Sequence, residues 1–399
     1  MTFKTQVSEV ADLLRRSERP LLHVGQGVRP VIDDFMHFVQ AHGIVFVTAR
    51  NANDICDWDH PQYIGRPGTF AQRGANFAVQ CCDLYIAIGT SLSLTQTGYN
   101  TQDYARNAKI VQVDIDQAVL DKGTIRHHLK ICADAGEFIR ELDKADGIQM
   151  LRPWFAWFKR CREWKCKYPV CLPEYRQQTG SVNSYYFIDV LSGLAAPDDV
   201  IVTDMGFAFQ NTHQAWKTKK GQRLMTNCGL APMGWGLPAA IGASFATGRR
   251  VILITGEGGL MMNIQELATV MHHQLNIKIF VLMNGGYLTI KQTQQLGFEG
   301  RLMGVNEDTG LSFPNFMTIS AAHKIPYCVI PNHHYLKSIT EKSFEQNDPN
   351  VIEIRMSPDQ PQAPRSLNRR NPDGTMNPTK LEDAYPFLPP EVIEQEMKI

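Results

Sequence analysis

The chain has 399 residues, 40 basic against 40 acidic side chains, and 43% hydrophobic residues. That length points to two or three domains with full cores, and the zero net charge argues against nucleic acid or an anionic membrane as a partner. The nine cysteines include an adjacent pair, Cys81 and Cys82, and a set spaced by fives, Cys161, Cys166 and Cys171. Neither pattern fits zinc or a disulfide framework, so reduced thiols are expected. No run approaches a membrane span, and Met1-Thr2-Phe3 opens no apolar stretch behind a basic cap. A cytoplasmic protein is expected.

From the N-terminus, strand and helix patterns alternate to about residue 150. Residues 7–14 predict an amphipathic helix, 20–24 a strand running into Gly25-Gln26-Gly27, and 32–42 a helix. Residues 44–48, 83–88 and 109–113 predict further buried strands, which together make a doubly wound α/β domain. Gly25-x-Gly27 lacks the third glycine of a dinucleotide fingerprint. Asp114 and Asp116 fit either a ribose contact at a strand end or a helix cap. Residues 151–182 mix Trp154, Trp157 and Trp164 with Lys165 and Lys167. They predict a helical linker packed against both domains. Aromatics interleaved with cations also serve nucleic-acid stacking, but the cluster is short and the total charge is nil.

The third segment, 183–356, holds the chemistry. Residues 200–203 predict a strand ending at Asp204-Met205-Gly206. Gly234, Gly236, Ala239, Ala240, Gly242 and Ala243 crowd the 228–243 run, whose small residues permit the close backbone approach that a cofactor between loop and helix needs. Residues 251–254 predict a buried strand entering Gly256-Glu257-Gly258-Gly259, a turn with room for an anion beside bare amides. Asn263 and Glu266 read as a capping pair opening a helix with Ile264, Leu267, Ala268 and Met271 on one face. Residues 277–282 predict the next strand, entering Met283-Asn284-Gly285-Gly286. A right-handed crossover puts both turns at the same carboxyl edge, so Glu257 and Asn284 converge. A carboxylate, an amide oxygen and a free carbonyl suit Mg²⁺, and Mg²⁺ beside glycine amides suits a diphosphate. An ordinary βαβ unit with glycine turns accounts for the same residues.

These motifs resemble the thiamine diphosphate enzymes, which carry Gly-Asp-Gly, a fixed gap and Asn-Asn. The resemblance implies thiamine diphosphate and Mg²⁺ as cofactors, with Glu257, Asn284 and the Gly286 carbonyl holding the metal. It implies cofactor contacts at Ala231, Met233, Gly256, Gly258, Gly259, Asn284, Gly286 and Thr289, with the Ala231 carbonyl accepting from the 4′-amino group and Met233 wedging the cofactor into a bent conformer. This chain departs from the pattern at Glu257 for Asp, Met283 for the first Asn, Ala231-Pro232 for Gly-Thr, and Phe207-Ala208-Phe209 where many synthases place Gln-His-Gln. Residues 64–76, with Ala87-Ile88-Gly89 and 113–116, resemble the middle domain of acetolactate synthase and its relatives. Some of these bind FAD through a charged Arg-Phe-Asp-Asp-Arg segment. Here it reads Ser91-Leu92-Ser93-Leu94-Thr95, so FAD is not expected. The run 287–294 and the tail motif 381–388 also look like acetolactate-synthase-like proteins.

The expected organisation is α/β, with two doubly wound, parallel-sheet, Rossmann-like domains and a C-terminal tail. Residues 1–150 form the central domain, 151–182 the linker, 183–356 the thiamine diphosphate and Mg-diphosphate domain, and 357–399 a tail folding back over the enzyme. The family's pyrimidine-binding domain, with the glutamate that hydrogen-bonds pyrimidine N1′, is expected from a missing N-terminal domain or a partner subunit. No catalytic residue is assigned within this chain. The implied activity is decarboxylation or carboligation of 2-keto acids by an oligomer. A catalytically silent binding or regulatory subunit is the alternative, and an NAD- or FAD-dependent redox protein rests on fold analogy alone.

Overall fold

The computed structural model describes residues 1–145, 147–148, 152–370 and 373–398. The expected boundary at 150/151 lies outside them. Contacts group the chain into two units, 1–170 with 363–399, and 171–362.

The first unit is built on six parallel strands: β1 Pro20–Val24, β2 Val45–Thr48, β3 Tyr63–Gly65, β4 Leu84–Ile88, β5 Lys109–Asp114 and β6 Leu129–Cys132. Their order, β3-β2-β1-β4-β5-β6, is that of a doubly wound sheet. Helices cover both faces, so β1 and β4 are buried at every residue and read as unbroken apolar runs. Leu22, Ile86 and Val111 pack on one side with Val10, Phe35 and Phe138. Leu21, Tyr85 and Ile110 pack on the other with Phe77, Trp157 and Trp164.

At the carboxyl edge the turns after β1 and β4 press on each other. Gly27 N–H donates to the Gly89 carbonyl at 3.1 Å, and a Cβ on Gly27 would stand 2.7 Å from Gly89 Cα. These glycines serve backbone approach. Asp116 accepts from the Ala118 N–H at 2.8 Å and caps the helix Gln117–Leu120, while Asp114 Oδ1 accepts from the Asp116 N–H.

The stretch expected as a linker is largely the helix Arg152–Lys167, which belongs to this first unit. Trp157 Nε1 donates to the Pro20 carbonyl at 3.0 Å, and Lys165 Nζ donates to the carbonyls of Trp58 and Tyr63. Gly74 permits the approach of this helix, because a Cβ there would meet the Trp164 carbonyl carbon at 2.9 Å. Aromatics and cations in this stretch thus meet protein groups. The tail folds back on the same unit: Glu396, 1% exposed, accepts from Arg160, Trp164, Lys167 and Tyr168. Arg73 donates to the carbonyls of Ala384 and Pro386.

The second unit has six parallel strands: β7 Val200–Thr203, β8 Arg223–Met225, β9 Val251–Gly256, β10 Ile277–Met283, β11 Tyr327–Ile330 and β12 Asn350–Arg355, in the order β11-β12-β10-β9-β7-β8. β9 lies between β7 and β10, with Thr203 beside Ile254 and Leu282 beside Gly256. The residues that follow these strands, Asp204, Glu257 and Asn284, therefore leave one edge of the sheet.

One local expectation is corrected. The helix after β9 begins at Glu257, not near Asn263; it runs Glu257–Met261, loosens into the 3-10 turn Ile264–Glu266, and resumes at Leu267–His272. Asn263 caps nothing with its side chain, because its Nδ2 donates instead to the Gly234 carbonyl at 2.7 Å. The expected inward residues Ile264, Leu267 and Met271 do pack against the core with Val270, and Ala268 is exposed. Among the described residues, no helix is long and apolar enough to cross a membrane.

Candidate functional site

The carboxyl edge of β7, β9 and β10 gathers the sequence-expected residues through two buried carboxylates. The first is Glu257, 1% exposed, at the start of the helix after β9. Its Oε1 accepts from the N–H groups of Asn284 at 2.8 Å and Gly285 at 2.7 Å. The side chain thereby reaches from the end of one strand to the turn after its neighbour. Burial pushes the Glu257 carboxyl up to about 7, although backbone N–H groups of its own residue and of 284–286 favour the charged form. Beside it, Asn284 is 8% exposed and its Oδ1 is buried with no hydrogen-bond partner. A buried amide oxygen left without a donor costs on the order of 1–3 kcal/mol, so this atom calls for a partner such as a water or an ion.

The second carboxylate was not singled out from sequence. Asp204, 1% exposed, accepts from the N–H groups of Met205, Gly234 and Gly236 at 2.6, 3.1 and 3.0 Å. Desolvation raises its pKa while those three donors hold it down. Asp204 therefore ties the 228–236 loop to the end of β7, and Asn263 ties the same loop to the helix region after β9 through Gly234. The signal available in sequence was an acidic residue directly after an apolar strand.

Three glycines are explained by these contacts. At Gly236 and Gly259 a Cβ would lie 2.9 and 2.8 Å from the Asp204 side chain, and at Gly258 it would lie 2.1 Å from the Tyr287 ring. Their smallness admits protein groups. Gly256 differs: its backbone is extended, and a Cβ there would meet nothing within 4 Å, so space stands open beside the turn. Gly285 and Gly286 have φ of +78° and +156°, a conformation that a side chain disfavours. Thr289 lies in the first turn of the helix Leu288–Gly297, with its Oγ1 3.5 Å from where a Cβ on Gly206 would stand.

The structure thus brings Gly256, Glu257, Gly258, Gly259, Asn284 and Gly286 to one edge, with Thr289 facing the turn after β7. Ala231 and Met233 lie on the loop that Asp204 and Asn263 anchor, exposed at its surface. Ala231 holds a φ of +51°, Met233 is 42% exposed and Leu230 is 87% exposed. A cavity of about 180 Å³ is lined by Asn284, Gly285, Gly286, Lys291, Val305 and Asn306, among others. No group of three His, Cys, Asp or Glu side chains among the described residues could hold a metal, so a cation at this edge would use mixed oxygen donors.

Comparison with known proteins gives two family matches. Residues 7–142 match the central domain of thiamine pyrophosphate enzymes, and residues 204–354 match the C-terminal TPP binding domain of the same enzymes. Among curated relatives, the acetolactate synthase isozyme 1 large subunit of Escherichia coli (strain K12) is 27% identical over 392 residues, covering 98% of this chain and 64% of the relative. Isozyme 2 of the same organism is 26% identical over 98% of this chain and 66% of the relative. The acetolactate synthase large subunit of Cyanidium caldarium is 30% identical over 87% of this chain and 59% of the relative. The chain spans less than two thirds of the length of these relatives.

Proposed function

Because the chain belongs to the thiamine pyrophosphate enzymes, with their central and C-terminal TPP binding domains in sequence, we propose that it is a Mg²⁺- and thiamine diphosphate-dependent subunit acting on 2-keto acids, in decarboxylation or carboligation. One observation carries the metal: the buried Asn284 Oδ1 has no partner beside the buried carboxylate of Glu257. Hard oxygen donors from a carboxylate, an amide and the Gly286 carbonyl would fit a Mg²⁺ ion, and the open space beside Gly256 would take a diphosphate. The acetolactate synthase names of the relatives support the 2-keto acid class.

When bound, thiamine diphosphate supplies the electron sink for cleaving or forming the bond next to the keto carbon. Everything else falls to the protein. Glu257, Asn284 and Gly286 hold the cation, Asp204 keeps the 228–236 loop against the end of β7, and Met233 presents an apolar side chain to the cofactor. Asp204 accepts three N–H groups across both of its oxygens, and Glu257 accepts two on Oε1, which leaves Oε2 for the cation. As the family resemblance implies, we assign the group that holds the proton at N1′ to a pyrimidine-binding domain, in a longer polypeptide or a partner subunit. The assembly is an oligomer. A silent binding subunit is the second reading, favoured by Glu257 in place of the family's Asp.

Calorimetric titration of thiamine diphosphate, with and without Mg²⁺, tests the site. Wild type is expected to bind only with the metal, and Asn284→Ala to lose at least about tenfold in affinity. Equal binding with metal, without metal and in the variant would overturn the assignment. The purified protein is also expected to carry no flavin, because Ser91 to Thr95 bear no charge and Gly27 and Gly89 close on each other. A flavin absorbance at unit stoichiometry would contradict that.

A further inference from the structure

Residues 298–315 carry no chemical signature in sequence, yet they brace the turn after β10. Val305, 1% exposed, accepts from the Tyr287 N–H at 2.9 Å. A Cβ on Gly286 would lie 1.9 Å from the same carbonyl oxygen and 3.3 Å from Asn306 Cα, so turn and brace touch backbone to backbone. One hydroxyl holds the bracing peptide. Thr309 Oγ1 accepts from the N–H groups of Val305 and Asn306, both at 3.0 Å, and donates to Asn306 Oδ1 at 2.7 Å. A hydroxyl has one proton and two lone pairs, and here all three are used. The turn is closed further by Thr309 N–H to the Asn306 carbonyl and Gly304 N–H to the Thr309 carbonyl.

We propose that Thr309 is a positioning residue for the divalent cation. Through Val305 it fixes the Gly286 peptide, whose carbonyl is one of the metal's oxygen donors. The inference rests on the reading of Glu257, Asn284 and Gly286 as ligands. Mg²⁺ demands near-octahedral geometry and tolerates a displaced donor poorly, whereas Ca²⁺ accepts irregular sets. Groups that orient a metal's ligands commonly change its affinity by about 10–100-fold. A purely structural hydroxyl would lower stability without altering the discrimination between the two metals.

The test uses thiamine diphosphate as the probe, titrated by calorimetry in Mg²⁺ and in Ca²⁺, with a thermal melt of each variant. Thr309→Val keeps the shape and removes the hydroxyl, and it is expected to weaken binding about tenfold or more in Mg²⁺ but less than about threefold in Ca²⁺. Thr309→Ser restores the hydroxyl and is expected to bind within about twofold of wild type in either metal. Asn306→Ala removes the nearer acceptor of the hydroxyl proton, leaving the Asn306 backbone carbonyl at 3.1 Å, and is expected to move the Mg²⁺ affinity in the same direction by a smaller step, so a poorly folding Thr309→Val leaves a second arm. Unchanged Mg²⁺ affinity in both variants, or equal losses in the two metals, would overturn the role of Thr309 while leaving the ligands standing. Metal-independent binding by wild type would overturn the ligands and Thr309 together.

Discussion

Pyruvate consumption by these 399 residues alone, with saturating thiamine diphosphate and Mg²⁺, is expected to rise by about 10²–10⁴-fold when a pyrimidine-binding domain is supplied. General acid–base help of this size needs a group placed on the ring nitrogen; Asp204 is bound by three backbone N–H groups and Glu257 is committed to the proposed cation. Met233 at 42% and Leu230 at 87% exposure leave the 228–236 loop open to water. Water there weakens each electrostatic contact at the reacting centre, and an apolar surface of this kind is suited to a covering domain. The assay compares the isolated chain with the same chain plus a pyrimidine-domain protein. Full turnover by the isolated chain would refute the divided site and assign the proton to a carboxylate within these residues.

Replacing Glu257 by Gln is expected to separate metal binding from stability. The amide can still accept from the Asn284 and Gly285 N–H groups, but it brings no charge to the cation, so affinity for thiamine diphosphate in Mg²⁺ should fall at least about 100-fold. Stability of the metal-free protein should move the other way. Burial raises the Glu257 carboxyl from 4.5 to about 7 in the folded state. A raised carboxyl stabilises the fold fully below the unfolded value of 4.5, and that contribution is lost as pH rises through about 7. Wild type without metal should therefore be less stable at pH 8 than at pH 4.5, by about 3 kcal/mol from this group. Glu257→Gln should remove that dependence and melt higher than wild type at pH 8. Added Mg²⁺ with thiamine diphosphate should restore wild type and leave the variant unmoved. Glu257→Asp should keep or improve affinity, since it restores the ligand length usual in the family. A Gln variant that binds as tightly as wild type would remove Glu257 from the metal site.

Strands β1, β2, β4, β5, β7, β9 and β10 were legible because parallel strands buried on both faces write themselves as unbroken apolar runs, whereas β3, β6, β8, β11 and β12 were not foreseen. The strand expected at 200–203 is found as Val200–Thr203, and that expected at 277–282 as Ile277–Met283. The convergence of Glu257 and Asn284 followed from crossover handedness, a property of topology that needs no side-chain detail. What stayed hidden depends on contacts between distant segments. Asn263 looked like a helix cap from its neighbours at 264–266, but its partner is the Gly234 carbonyl, 29 positions away. Gly258 and Gly259 looked like open space for an anion, whereas Tyr287 and Asp204 fill the room their missing side chains leave. Val305 and Thr309 were invisible because a carbonyl and one hydroxyl do the bracing. The stretch after 151 hid its place for the same reason: Trp157 and Lys165 find partners in β1 and β3.

The metal assignment is tested most directly by a crystal structure with thiamine diphosphate and Mn²⁺ in place of Mg²⁺, using the anomalous signal of the manganese. Expected is one peak within about 2–2.3 Å of a Glu257 carboxylate oxygen, Asn284 Oδ1 and the Gly286 carbonyl oxygen. A bound cofactor with no peak among those three atoms, or a peak held by other residues, would contradict it.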